Sequence, residues 1–326
     1  MQPTLPNHLD ASSQLLFLEA LSRGIDCKTF PGSQVIAMTY QGKSWYTSGS
    51  RTSFQSAIGQ TIADNKAISK IFLKAAGAPT AKSILIKSSA DLPLLNELTF
   101  PVVAKPVKGS HGDGVKTDIS DLAEISQLVS QIHQPLLVEE TLAGTEYRIV
   151  CIDFKFAAAA YRKTAHVIGD GQKTIFELIT IKNQHPWREA GHHGKLTTIN
   201  IDQSLKELLS QQKLSLESIP SQDQEILLKK TANLSTGGEA WDVTAEVGVE
   251  NQHLFEKIAK TADLNVVGID VICQNLTEPI SLQPKAGIIE INKSPGLRMH
   301  HFPIKGKPQN IAKLIIDLAL KEVAKS

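Results

Sequence analysis

Apolar residues recur at helical spacing over residues 15–21 and 61–76, and a glycine follows each stretch, at Gly24 and Gly77. In the second stretch Ile62, Ile68, Ile71, Phe72 and Ala75 share one stripe, and Asp64, Asn65 and Lys66 sit in its first turn. One continuous helix is expected there. Similar spacing predicts helices over 122–132, 173–182 and 251–263, and a closing helix over 310–324. Short apolar or β-branched runs predict strands at 34–40 and 43–47, separated by Gln41-Gly42, then at 100–105, 115–119 and 136–140. Two more follow at 149–156 and 157–162, the second running on through His166-Val167-Ile168. Residues 183–224 are polar and mixed, and read as a loop on the substrate side. This order of strands and helices predicts an α/β (α+β) protein.

Two strands near the end of the chain break the apolar pattern. Residues 288–292 are apolar and β-branched apart from Glu290 and Asn292, and Ser294-Pro295-Gly296 ends the strand in a turn. Side chains two apart on a strand share a face, so the acid and the amide point the same way. Residues 266–272 carry a single acid, Asp270. Burying such groups unpartnered is costly, and a hard cation with oxygen ligands would satisfy them. Paired strands would bring Asp270, Glu290 and Asn292 around one or two metals. An exposed strand face with ordinary polar alternation is the competing reading.

Lys108-Gly109-Ser110-His111-Gly112-Asp113-Gly114-Val115-Lys116-Thr117 looks like a phosphate loop but is a near miss. A P-loop places Lys directly after its last Gly and opens a helix. Here Val115 intervenes and a strand follows. A glycine-rich stretch between two strands reads as a flap whose backbone N–H groups can approach phosphates, or as a plain hairpin.

Composition narrows the class. The 326 residues can bury a sizeable core in two or three lobes, and the net charge of +1 is spread along the chain. That gives no footprint for nucleic acid or an anionic membrane. The first residues lack a basic segment followed by an apolar run, so no signal peptide is read, and no stretch approaches membrane-spanning length. Cys27, Cys151 and Cys273 are far apart and show no metal or redox spacing. Gly191-His192-His193-Gly194 has no third ligand at a recognisable distance. A cytoplasmic protein is expected, with a homo-oligomer left open.

Taken in order, Val103-Ala104-Lys105-Pro106 with its flap, Gly144-Thr145-Glu146-Tyr147-Arg148, Val167–Gly171, Ala232–Gly238 with Asp242-Val243-Thr244, Gly268-Ile269-Asp270 and Ile289–His300 resemble the ATP-grasp superfamily of carboxylate–amine ligases. The likeness is strongest to the ATP-grasp domain of cyanophycin synthetases, and next to that of bifunctional glutathione synthetases. It spans residue 63 to the C-terminus.

The resemblance implies two α+β lobes that clamp ATP, with a short leading lobe at 1–62, a nucleotide-lid subdomain at 63–141 and a metal-bearing subdomain at 142–326. It makes Lys105 a phosphate ligand and Lys66 a lysine near the nucleotide. Lys108, Gly109, Ser110, Gly112, Gly114 and Val115 become the lid over the triphosphate. The backbone at Glu139, Glu140 and Leu142 would hold adenine, with Glu146 on the ribose. Asp270, Glu290 and Asn292 would bind Mg²⁺, with Mn²⁺ a substitute, and Arg162 and Arg298 would handle anions. The implied reaction joins a small amino acid or peptide carboxylate to an amine through an acyl phosphate.

Three departures stand against the cyanophycin pattern. Those synthetases carry an additional N-terminal domain and a Mur-ligase-like domain, neither of which is read here, so polymer synthesis by this chain alone is not expected. Lys229 stands where Arg is usual, and Ala245 where an acid is usual. A ligase acting on a thiol dipeptide, or a catalytically silent ATP-binding protein, are the alternative readings.

Overall fold

The computed structural model describes residues 5–109, 114–131, 134–191 and 194–325. The chain folds as two units, each assembled from separate segments. One, here unit 1, comprises 1–53, 158–244 and 296–326; unit 2 comprises 54–157 and 245–295.

Helix α1 (Ala11–Ser22) starts at Asp10, whose carboxylate accepts the Ser13 amide. Strands β1 (Asp26–Thr29), β2 (Val35–Tyr40), β3 (Lys43–Ser48) and β4 (Arg51–Thr52) then form an antiparallel sheet in that order. The stripe over 61–76 is two helices rather than one, α2 (Ala57–Ala63) and α3 (Lys66–Ala75). Asn65 is extended, and its side chain accepts the amides of Ala67 and Ile68. The polar triplet expected in a first turn is thus the cap of a second helix.

Strand β5 (Ser83–Ile86) is followed by a 3₁₀ turn at Ser89–Glu97, then β6 (Val102–Pro106), β7 (Lys116–Ile119), α4 (Leu122–Gln131) and β8 (Leu136–Glu140). Strands β9 (Thr145–Ile152) and β10 (Lys155–Lys163) divide at Asp153-Phe154, both at positive φ, earlier than the apolar pattern suggests. β11 (His166–Ile168) does not continue β10. It pairs instead with β14 (Glu225–Leu227).

Between them lie α5 (Ile175–Asn183), β12 (Arg188–Glu189), β13 (Leu196–Thr197) and α6 (Gln203–Gln211). The stretch 183–224 is therefore not a plain loop. Ile199, Leu205 and Leu209 are buried with Ile175 and Ile179 of α5 and Ile226 of β14. Few apolar residues, well spaced, suffice for a helix with one buried face. The chain ends with β15 (Glu239–Asp242), α7 (Val249–Thr261), β16 (Val266–Cys273), β17 (Gly287–Asn292), α8 (Arg298–His301) and α9 (Ile311–Lys325). Among the described residues no helix is long and apolar enough to cross a membrane.

Unit 2 holds two sheet regions that matter for the site. One is the antiparallel sheet β5-β8-β6-β7, with Ile86, Val102, Ala104, Leu136 and Val138 buried against Leu95 and Ile125. In the other, β16 lies between β9 and β17, antiparallel to both, with its apolar residues buried. In unit 1, β10 pairs with β15, and α5, α6, β11 and β14 share a core.

Candidate active site

Strand register in unit 2 sets three charged side chains in a row. Asp270 on β16 lies opposite Arg148 on β9 and opposite Glu290 on β17. Arg148 takes both carboxylate oxygens of Asp270, Nε on Oδ1 and Nη2 on Oδ2 at 3.0 Å, and both residues are buried. Two residues along β17, Asn292 donates from Nδ2 to Asp270 Oδ2 at 3.1 Å and to Glu290 Oε1 at 3.3 Å. The three residues that pairing of the two strands is expected to bring together thus meet at one point.

Gly268, opposite Asn292, leaves the room they need. A Cβ there would stand 2.8 Å from Pro295 Cβ and 3.4 Å from Arg148 Cδ.

Two carboxylates side by side and out of water repel each other. Burial, and then the charge of Asp270, push Glu290 above the usual carboxylate range. Arg148 neutralises one charge and leaves the other. Two acids and an amide, whose far end is a carbonyl oxygen, match the donors a hard divalent cation takes. No cluster of three or more His, Cys, Asp or Glu suited to a metal is present among the described residues. His192 and His193 lie outside the described residues.

A second charged cluster sits on the β5–β8–β6 sheet. Lys105 is opposite Leu137 across β6 and β8, so Glu139 is its diagonal neighbour on the same face. The Glu139 carboxylate takes Lys105 on one oxygen and Lys70 of α3 on the other, and all three are buried. Lys70 also donates to the Ala81 carbonyl at 2.7 Å, and burial lowers its pKa.

Lys66, one turn earlier on α3, donates to the Gly109 carbonyl at 2.8 Å, at the root of the glycine flap. Burial lowers its pKa, while Glu290 draws it back up. β6 and β7 pair as the flap's two stems, with Ala104 opposite Lys116. Gly109 and Gly114 take positive φ at its two ends, Lys108 is exposed and Val115 half-buried. Ser110 and Gly112 of the expected lid lie outside the described residues.

The expected adenine and ribose residues follow on. Glu139 is expected to lend its backbone to adenine; its side chain joins two lysines. Glu140 Oε1 accepts the Thr99 amide at 2.9 Å. Leu142 and Glu146 are half-buried, Glu146 lying opposite Ile272 on β16. Gly144 lets this turn pass close to β16, because a Cβ would meet the Cys273 carbonyl oxygen at 2.4 Å.

Arg162 and Arg298 belong to unit 1. Arg162 is half-buried on β10, opposite Ala240 of β15. Arg298, the first residue of α8, donates from Nη1 to the Gly194 carbonyl at 2.9 Å and from Nη2 to Thr197 Oγ1 at 3.3 Å. Burial lowers its pKa, and among the described residues it makes no ion pair. Lys229, one of the departures, is held by Asp202 and by Ser204 Oγ at 2.9 Å.

Sequence reasoning gave no role to Lys70 or to Arg148. Lys70 carries a signal in hindsight: it lies four residues after Lys66, so the two share a helix face. Arg148 closes the Gly144–Arg148 motif, but its pairing with Asp270 depends on strand register, which a single strand does not reveal.

No family model matches the chain. Among curated proteins it is similar to the cyanophycin synthetase of Trichormus variabilis, 33% identical over 315 residues that cover 95% of this chain and 35% of the relative. The glutathione biosynthesis bifunctional protein GshAB of Pasteurella multocida is 29% identical over 330 residues, covering 97% of this chain and 43% of the relative. The chain therefore spans less than half the length of these relatives. Among solved structures, a bifunctional glutathione synthetase from Pasteurella multocida superposes with a TM-score of 0.75 at 27% identity, over 96% of this chain and 44% of that one. These are the two families that the motifs resemble, and the chain shares the fold of that part of the bifunctional glutathione synthetase.

Proposed function

We propose, from the premise that this chain is an ATP-grasp homologue, that it is an ATP- and Mg²⁺-dependent ligase joining a small carboxylate to an amine. The carboxylate would be that of an amino acid or short peptide. The observation that carries this reading is the meeting of Asp270, Glu290 and Asn292 at one point, beside the Arg148 fork.

In this reading Asp270, Glu290 and Asn292 would hold Mg²⁺, or Mn²⁺ in its place, which would supply positive charge to offset the negative charge of the phosphates. Lys105 and Lys66 are assigned to the phosphates, where a fixed positive charge stabilises the charge that develops. Glu139 lies between Lys70 and Lys105 as their shared counter-ion. The strand after it, through Leu142 and Glu146, is assigned to adenine and ribose. The flap from Lys108 to Val115 would exclude water, which an activated carboxylate must not meet.

A carboxylate is a poor electrophile, so its oxygen attacks the γ-phosphorus and the bond to the β–γ bridging oxygen breaks. ADP leaves and an acyl phosphate remains. The amine nitrogen then attacks the carbonyl carbon, the carbon–oxygen bond to phosphate breaks and the nitrogen loses a proton. Arg162 and Arg298 are assigned to the carboxylate and to the oxygen that gains charge in the second step.

The test is ADP and phosphate release from ATP and Mg²⁺ across a panel of amino acids and dipeptides, repeated with hydroxylamine as the amine. A hydroxamate together with ADP supports the reading. Release of AMP and pyrophosphate overturns it. The likeness to the bifunctional glutathione synthetase favours a second reading, ligation to a thiol dipeptide, so cysteine-containing dipeptides belong in the panel.

A further inference from the structure

Arg298 is held by two neutral acceptors, the Gly194 carbonyl and the Thr197 hydroxyl, both on the segment that turns from β12 into β13. A guanidinium has five donors, so contacts with neutral groups leave both its charge and part of its fork for an anion. Its aim then depends on what fixes Gly194 and Thr197.

Three features do so. The Leu196 amide donates to the Trp187 carbonyl at 2.8 Å. The buried Arg188 donates from Nη1 to the Thr197 carbonyl at 2.6 Å, while its Nη2 is anchored on Glu239 at 2.7 Å. Third, Lys195 lies between two aromatic rings, its Nζ 5.4 Å from the Trp187 centroid and 5.3 Å from that of Phe302. The rings stand 6.0 Å apart at 64°. Among the described residues this ammonium makes no ion pair. Gly194 admits the close turn, since a Cβ there would meet Glu189 Cβ at 2.7 Å.

Phe302 directly follows α8, the helix that begins with Arg298. Lys195 thus ties the acceptor segment to the same short helix that carries the guanidinium. The exposed ammonium gains from the rings only while the segment stays against α8.

We propose that Trp187, Lys195 and Phe302 form a latch of positioning residues that holds Gly194 and Thr197 as acceptors for Arg298 and so sets the direction of its fork. This rests on the reading of Arg298 as a contact for the substrate's carboxylate. A latch of this kind acts on the chemical step and the carboxylate, not on ATP.

The experiment compares the full chain with Trp187→Ala, Lys195→Met and the conservative Trp187→Phe and Lys195→Arg. Two readouts are taken: hydrogen exchange at the Leu196 amide in the protein alone, and turnover with ATP, Mg²⁺ and the panel carboxylate that the unaltered chain uses best. The latch predicts faster exchange in Trp187→Ala and Lys195→Met, and kcat lower by about three- to tenfold with the KM for ATP unchanged. The conservative variants should recover both. Unchanged exchange in folded Trp187→Ala overturns the latch. Faster exchange with unchanged kcat and carboxylate KM overturns its link to Arg298. If the unaltered chain turns over no panel member, the ligase reading fails instead. The link is then judged by Arg298→Ala, which should speed Leu196 exchange as Trp187→Ala does and overturns the link if it does not.

Discussion

Arg148 and Asp270 face each other in register across β9 and β16, and the Arg148 fork occupies both oxygens of the Asp270 carboxylate. One residue of the expected metal set thus has a cationic partner of its own within the fold. Burial opposes the charge on Arg148, and Asp270 more than offsets it, so the guanidinium is held more firmly charged than usual.

The first prediction follows from that pair. Removing one partner of a buried ion pair leaves the other charge uncompensated, at about 3–5 kcal/mol. In Arg148→Met, Asp270 and Glu290 would repel each other with no fixed cation between β9 and β17. The variant should unfold at lower denaturant than the parent in EDTA, and excess Mg²⁺ should recover part of the loss. Equal midpoints for parent and variant in EDTA would show that the pair contributes nothing.

Glu139 gives the second. Its carboxylate separates Lys70 and Lys105, all three buried. Glu139→Gln leaves two buried ammonium groups without a counter-ion, which should lower thermal stability and weaken binding of a non-hydrolysable ATP analogue about tenfold or more. Adding Lys70→Met removes one of the opposed charges, so the double variant should regain stability. A double variant no more stable than the single one argues against a charge origin.

The candidate site was legible where chemistry breaks an apolar pattern. Glu290 and Asn292 interrupt β17 and Asp270 interrupts β16, so their convergence could be read from two short segments. The Lys70–Glu139–Lys105 cluster was not legible, because it joins a helix to two strands and depends on a diagonal register. Helix ends were misread where one polar residue decides. Asn65 caps α3 within a stripe that periodicity reads as continuous. The stretch 183–224 hid α6 for a related reason, since its buried face rests on Leu205 and Leu209 amid polar residues.

His301 sets a pH dependence. Burial pushes its imidazole down to about 4, and its Nε2 accepts the Ala312 amide at 3.1 Å near the start of α9. The fold therefore favours the neutral ring. Between pH 6.5 and about 4 the unfolded chain binds a proton that the folded chain does not, so stability is complete above 6.5 and declines on acidification. At about 1.36 kcal/mol per unit the loss reaches at most about 3 kcal/mol. Urea midpoints at pH 7.5 and pH 5 should differ, and His301→Gln should shrink the difference. A variant with the parent's full pH slope would assign it to other groups.

Arg298 is the last and most direct. Its guanidinium is half-buried, contacts only neutral oxygens among the described residues and opens α8 directly after the turn that follows β17. An anion that reached it would receive a charged hydrogen bond worth about 1.5–3 kcal/mol. If that anion is the reacting carboxylate, or the oxygen that gains charge as the amine attacks, Arg298→Ala should slow ligation about ten- to a hundredfold or more. Arg298→Lys should recover only part of this, because an ammonium cannot hold two oxygens in a planar fork. Binding of the ATP analogue should be nearly unchanged, since the phosphates are assigned to Lys105, Lys66 and the residues proposed to hold the metal. Measured on the same variant, a parallel loss of ATP binding and ligation would assign Arg298 to the nucleotide. No change in either would leave it a structural tie between α8 and the Gly194–Thr197 segment.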